Sequence, residues 1–328
     1  MKLSQADEKC RYYQNLVIQN SMNGRPVNAY SAQKEHWEAE NKNGRFIIND
    51  VRYAQEYPNS FLDIWYPNRD RHQKRPVVIN FHGGGFIFGS KKMVDPLALQ
   101  ALDGDLFVEG FLKENYIFVN ADYALAPEYR FPVQLQQVDQ VVRFVLEQAD
   151  TYGFDIENIS MTGGSAGADL TQIYALAISQ PEYAAKLGLQ PTIGADGLRC
   201  VLINEAALHM DVNSADENIC AMLQTWLGVE DAKDSEISSL VDVSRFITDT
   251  YPPAFLIASN HEPFFLADVL AMKETLDRCN LPCEAYYVDS SVALLKHGFV
   301  NQLHDDPYAN ACYKQMIAFL KRYTQRAS

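Results

Sequence analysis

The sequence predicts an α/β fold, a mainly parallel, doubly wound sheet under a helical cap. Three observations predict it. Continuous apolar runs such as Pro76 to His82, Tyr116 to Asp122 and Cys200 to Asn204 read as strands buried on both faces, the habit of parallel sheets. Amphipathic helical patterns alternate with them, as βαβ units require. Two small-residue turns, Gly83-Gly84-Gly85 and Gly163-Gly164-Ser165-Ala166-Gly167, follow directly on predicted strands. In a doubly wound sheet, ligands bind beyond such strand ends.

Residues 1–44 are polar, with helix-friendly runs at Ala6 to Asn20 and Ser31 to Asn41, and are expected to form a helical segment contributing to the cap. Residues 45–328 form the main domain. Arg45 to Tyr53 and Phe61 to Tyr66 read as short strands around the turn-rich Tyr57-Pro58-Asn59-Ser60. The strand at 76–82 is followed by a helical pattern over 93–114, and the strand at 116–122 by a helix from Val133 to Ala149. An extended lead-in from Asn158 enters the second glycine turn, and a helix-like run from Ala168 to Ser179 leaves it. Later strands are expected at Ala254 to Asn260 and Glu284 to Asp289, with helices over 264–279 and 308–324. One interruption, about 205–250, carries an extra helical segment from Glu217 to Leu227 and is the expected cap insertion.

Forty-two acidic against 28 basic side chains give a formal net charge of −14, a surface that repels nucleic acid and anionic lipid. The chain starts without the apolar core of a signal peptide, and no stretch is long and apolar enough to span a bilayer. Six scattered cysteines lack metal-ligand spacing and are expected as reduced thiols in a cytoplasmic protein.

The chemistry starts at Ser165. A strand, a Gly-x-Ser-x-Gly turn and an immediate helix push a serine hydroxyl out at a strand end, over the positive end of a helix dipole. His82-Gly83-Gly84-Gly85 exposes consecutive backbone N–H groups that can hold an oxyanion. A phosphate loop would need a Gly-Lys-Ser/Thr ending, which is absent. Of seven histidines, His297 follows the last predicted strand on a loop that can swing an imidazole over the serine, with His304 in reserve. An acid belongs after the strand 254–260, where Glu262 comes first and Asp268 is the alternative. Serine, then acid, then histidine is the chain order of α/β-hydrolases.

With those residues in place, the sequence resembles the hormone-sensitive-lipase-like branch of the α/β-hydrolases. His82-Gly83-Gly84-Gly85-Phe86 matches the family's HGGG loop, and Asp122 to Glu128 looks like its DYRLAPE segment. Gly163 to Gly167 matches its GDSAG turn, and His297-Gly298-Phe299 its terminal HGF. The resemblance implies an α/β-hydrolase fold, Ser165 as nucleophile and His297 as general base. It also implies an oxyanion hole from the N–H groups of Gly84, Gly85 and Ala166. Gly164 stands where the family carries Asp, and Glu262-Pro263-Phe264 where it carries Asp-Pro-Leu.

The expected activity is that of a serine carboxylesterase on small, short-acyl esters, through a Ser-His-Glu triad and without metal or organic cofactor. Phe86, His209 and Trp226 are expected in its pocket. The rival readings are an amidase or peptidase on the same triad, and a non-catalytic binder of small molecules. The expected partner is a small-molecule ester, with neither nucleic acid nor membrane insertion, and the C-terminal helix offers a surface for a homodimer.

Overall fold

Nine strands form one sheet: β1 (Trp37–Glu40), β2 (Phe46–Arg52), β3 (Phe61–Tyr66), β4 (Arg75–Phe81), β5 (Ile117–Ala121), β6 (Phe154–Gly164), β7 (Val201–Asn204), β8 (Ala254–Ile257) and β9 (Cys283–Tyr286). Their order is β1-β2-β3-β5-β4-β6-β7-β8-β9. Every pair from β5 through β9 in that order is parallel, and β1, β2 and β3 add an antiparallel edge. The helices are α1 (Leu3–Ser21), α2 (Gly104–Lys113), α3 (Val133–Glu147), α4 (Ala149–Tyr152), α5 (Ala166–Ser179), α6 (Pro181–Lys186), α7 (Glu217–Leu227), α8 (Glu236–Val241), α9 (Pro263–Arg278) and α10 (Pro307–Thr324). This computed structural model describes residues 2–21, 26–28, 35–41, 43–92, 104–207, 217–230 and 235–324.

Side-chain alternation along the strands divides the interior in two. Val77, Ile79 and Phe81 of β4 join the core that holds α3, α5 and α9, whereas Val78 joins the core under α2 and α10. Helix α5 is buried along nearly its whole length, from Ala166 to Ile178, so its apolar residues are not confined to one face, and Asp169, Thr171 and Gln172 are buried with them. The serine turn is therefore carried by the most deeply held helix of the molecule's centre.

One expectation changes. Within the run Ser31 to Asn41, read as helix-friendly, Trp37–Glu40 is an edge strand that pairs with Phe46–Asn49. Its Ala and Glu residues favour helix locally, and the open edge of β2 overrides them. The helical reading over 93–114 holds for Gly104–Lys113, while 93–103 lie outside the described residues.

Helix α1 lies across α7. Lys9 pairs with Glu217 at 3.1 Å, and the Tyr13 hydroxyl donates to Asn218 Oδ1 at 2.7 Å. Arg130 joins the two helices to the sheet body, pairing with Asp7 at 2.7 Å and donating to the Thr225 carbonyl. Cys10 is fully buried in this seam; burial, with Asp7 nearby, pushes its thiol up to about 11 against a hydrogen bond with Thr225.

Behind the glycine loop lies a buried charge cluster. Lys91 Nζ is 2.6 Å from Asp50, 3.2 Å from Asp63 and 3.9 Å from Asp122. Burial alone would lower its pKa, but the three carboxylates together raise it above the ordinary lysine value. Replacing one partner of such a group leaves buried charge uncompensated, so Lys91→Met is expected to cost about 3–5 kcal/mol. A urea unfolding midpoint equal to that of the parent chain would contradict this.

Candidate active site

Strand β6 ends at Gly164, and Ser165 takes φ 52°, ψ −122° before α5 begins at Ala166. A positive φ is unusual for a residue with a side chain, and here it turns the hydroxyl out of the sheet. Two close approaches hold the turn. A Cβ on Gly163 would lie 2.2 Å from the Gly167 carbonyl oxygen, and one on Gly167 1.9 Å from that of Phe81. The Ser165 N–H donates to Asn204 O at 2.8 Å, which ties the serine to the end of β7.

The loop after β4 is bent through three positive φ values, Gly84 at 114°, Gly85 at 57° and Phe86 at 65°. Its carbonyls are occupied: Gly84 O accepts from Ile87 N at 3.1 Å and Phe88 N at 3.2 Å. Gln14 of α1, itself buried, donates to Ile87 O at 2.8 Å and Ala126 O at 2.7 Å. At its root, the His82 ring stacks on Tyr123 at 4.2 Å, and Tyr123 donates to His82 O at 2.7 Å. Among the described residues, no hydrogen bond engages the N–H groups of Gly84, Gly85 or Ala166.

Ser165, Ala166, Gly85, Phe86, His297 and Glu262 all line one cleft of about 370 Å³. Its other walls include Tyr13 of α1, Asn218, Ile219, Met222 and Leu223 of α7, and Phe265 of α9. The imidazole of His297 is buried and stacks on the Phe265 ring with 4.6 Å between centroids. Asp169, on the first turn of α5, also faces the cleft. Burial, and then Asp268, push its carboxyl well above the usual range, against the Ala207 N–H and the charge of His297.

The remaining site expectations fall differently. Trp226 does not line the cleft. Its ring lies flat on Phe86 at 3.6 Å, fully buried, and its indole donates to Gln134 at 3.1 Å, so it backs the wall instead of forming it. His209 lies outside the described residues. Glu262 is the residue before α9, half-exposed at the rim, with Oε1 4.0 Å from His261. Sequence reasoning passed over Glu205. This buried glutamate follows β7 and places Oε2 3.4 Å from His297 Nδ1. The only sequence signal was a lone carboxylate ending the apolar run Val201 to Asn204.

A second cleft, about 420 Å³, opens on the α2 side of the sheet between Trp65, Asn80 and Phe107, and contains neither Ser165 nor His297.

The profile of the BD-FAE family matches residues 62–268, well over half of the chain. The chain belongs to the BD-FAE family. This BD-FAE protein is 27% identical over 252 residues to the carboxylesterase NlhH of Mycobacterium tuberculosis, covering 75% of this chain and 73% of that one. It is 26% identical over 261 residues to esterase LipI of the same organism, covering 78% and 76%. A crystal structure of esterase B from Lactobacillus rhamnosis with a tributyrin phosphonate superposes with a TM-score of 0.74 at 18% identity, over 98% of this chain and 95% of that one. The fold is that of the α/β-hydrolases, and the resemblance to hormone-sensitive-lipase-like esterases holds over the 75–78% of the chain that these relatives cover. The BD-FAE protein is accordingly an esterase-class enzyme. Among its described residues no helix is long and apolar enough to cross a membrane.

Proposed function

We propose that the protein is a serine carboxylesterase for small, uncharged esters with short acyl chains. The observation that carries this reading is the convergence of Ser165, His297, Gly85 and Ala166 on one cleft. In the reaction, Ser165 Oγ bonds to the ester carbonyl carbon as His297 takes its proton. The carbonyl oxygen becomes an oxyanion facing the N–H groups of Gly84, Gly85 and Ala166, donors worth roughly 3–4 kcal/mol each in comparable sites. The alkoxide leaves with the proton from His297, giving an acyl-enzyme. Water, deprotonated by His297, then releases the carboxylic acid and restores Ser165. A carboxylate steadies the imidazolium, and spacing along the chain offers Glu262 for that place. Helices α1 and α7 serve as the cap.

The acyl limit follows from size. At about 370 Å³ the cleft lies near the small end of ligand pockets, which run from about 300 to 1,000 Å³. Phe86, Met222 and Leu223 wall it with apolar surface. Rates on a p-nitrophenyl series are expected to peak at acetyl to butyryl and to fall at least tenfold by decanoyl, about 1.4 kcal/mol in transition-state binding. A maximum at decanoyl or beyond would defeat the short-acyl reading. An anilide cleaved as fast as its matched ester would favour an amidase.

A further inference from the structure

We infer that Glu205 is the carboxylate that orients His297, in the place for which chain spacing offered Glu262. The inference rests on the reading of Ser165 and His297 as nucleophile and base. Glu205 Oε2 stands 3.4 Å from His297 Nδ1, within ion-pair distance, and accepts the Gly298 N–H at 2.6 Å, so one oxygen lies against the ring and fixes the backbone beside it. The glutamate is 1% exposed, and its own N–H donates to Ile257 O at 2.9 Å. Its φ is +59°, a left-handed backbone that residues with side chains rarely adopt. A buried charge on an unfavourable backbone is retained where its side chain has a task.

The placement fits the chemistry. Asn204 O receives the Ser165 N–H, so Glu205 is one residue beyond the serine's own anchor on the neighbouring strand. A carboxylate on Nδ1 holds that nitrogen protonated and leaves Nε2 to accept the serine proton. Glu262 is placed less well. Its side chain is 32% exposed, and the first turn of α9 presents the Phe265 ring face to the imidazole. Among the described residues, Asp169 on α5 feels the charge of both His297 and Asp268 of α9. His261 and Glu262 stand at the cleft rim, and Cys312 of α10 lies close enough to Glu205 to feel its charge.

The experiment compares Glu205→Gln, Glu205→Asp, Glu262→Gln and Asp268→Asn in the full chain on p-nitrophenyl butyrate across pH, with melting curves for each. Glu205→Gln is expected to lower kcat by about 10³–10⁴-fold with KM little changed. Loss of the carboxylate destabilises the imidazolium, so the pH at which kcat rises moves downward. Glu205→Asp should recover part of kcat and return that midpoint toward the parent. Glu262→Gln and Asp268→Asn should each lose at least ~100-fold less than Glu205→Gln. A larger loss in either of those two, or an unshifted pH profile in Glu205→Gln, overturns the assignment. Should Glu205→Gln not fold, Glu205→Asp decides: parent-like kcat and midpoint overturn the assignment, while a lowered kcat with a shifted midpoint supports it. Labelling by a fluorophosphonate keeps the two readings apart. An unlabelled Ser165 defeats the nucleophile itself, whereas a labelled Ser165 with a fully active Glu205→Gln defeats only the role of Glu205.

Discussion

Ser165→Ala is expected to lower kcat on a short p-nitrophenyl ester by roughly a million-fold, the loss found when the nucleophile is removed from a serine hydrolase. The expectation comes from geometry. Ser165 is held at φ 52° by the helix that follows and by its N–H bond to Asn204, and among the described residues it is the one serine or threonine that lines the cleft. The substitution keeps the backbone and removes only one oxygen, so the melting temperature should stay close to the parent's. The proposed oxyanion donors of Gly84, Gly85 and Ala166 are left untouched, so a residual rate above that of water is expected. A variant that kept a tenth of the parent activity would show that the covalent step runs elsewhere.

Gly167→Ala is expected to have the largest effect on folding. Its Cβ would lie 1.9 Å from Phe81 O and 2.7 Å from His82 O, both main chain at the end of β4 where the glycine loop begins. Neither oxygen can withdraw without parting β4 from α5, so a cost above about 4 kcal/mol is expected, in the exceptional range for one residue. If the chain still folds, the loop and the serine must separate, and a misplacement near 1 Å costs about 100-fold in rate. Gly164→Ala is the control. Its added Cβ meets only Asn204 Nδ2 at 3.6 Å, an ordinary contact, so stability should move by no more than about 1 kcal/mol. That space is consistent with the aspartate that relatives of the resembled branch carry there. Equal urea midpoints for Gly167→Ala and Gly164→Ala would refute the steric account.

The reading of sequence into fold succeeded where a physical constraint writes itself locally. Strands β4, β5 and β7 are covered on both faces, so most of their residues are apolar and the runs stand out. The serine turn was legible because only glycine fits between Phe81 O and the first turn of α5. Trp37–Glu40 was not, because its side chains alternate between half-buried and exposed and its pairing partner supplies the strand character. Trp226 looked like a pocket residue from its bulk, and only the stacked ring of Phe86 shows that it stands one layer back. Glu205 was invisible for another reason. Its φ of +59° is imposed by tertiary contacts, with no glycine or asparagine to announce it, and the glutamate read as the first residue of an insertion.

The burial of Cys10 between α1 and α7 gives the enzyme a built-in clock. A thiol raised to about 11 and shut away from water reacts with an alkylating reagent only in molecules whose N-terminal helix has lifted. Because Tyr13 on that helix forms part of the cleft wall, the rate of Cys10 modification tracks how often the entrance stands open, and an inhibitor seated against Tyr13 should slow it.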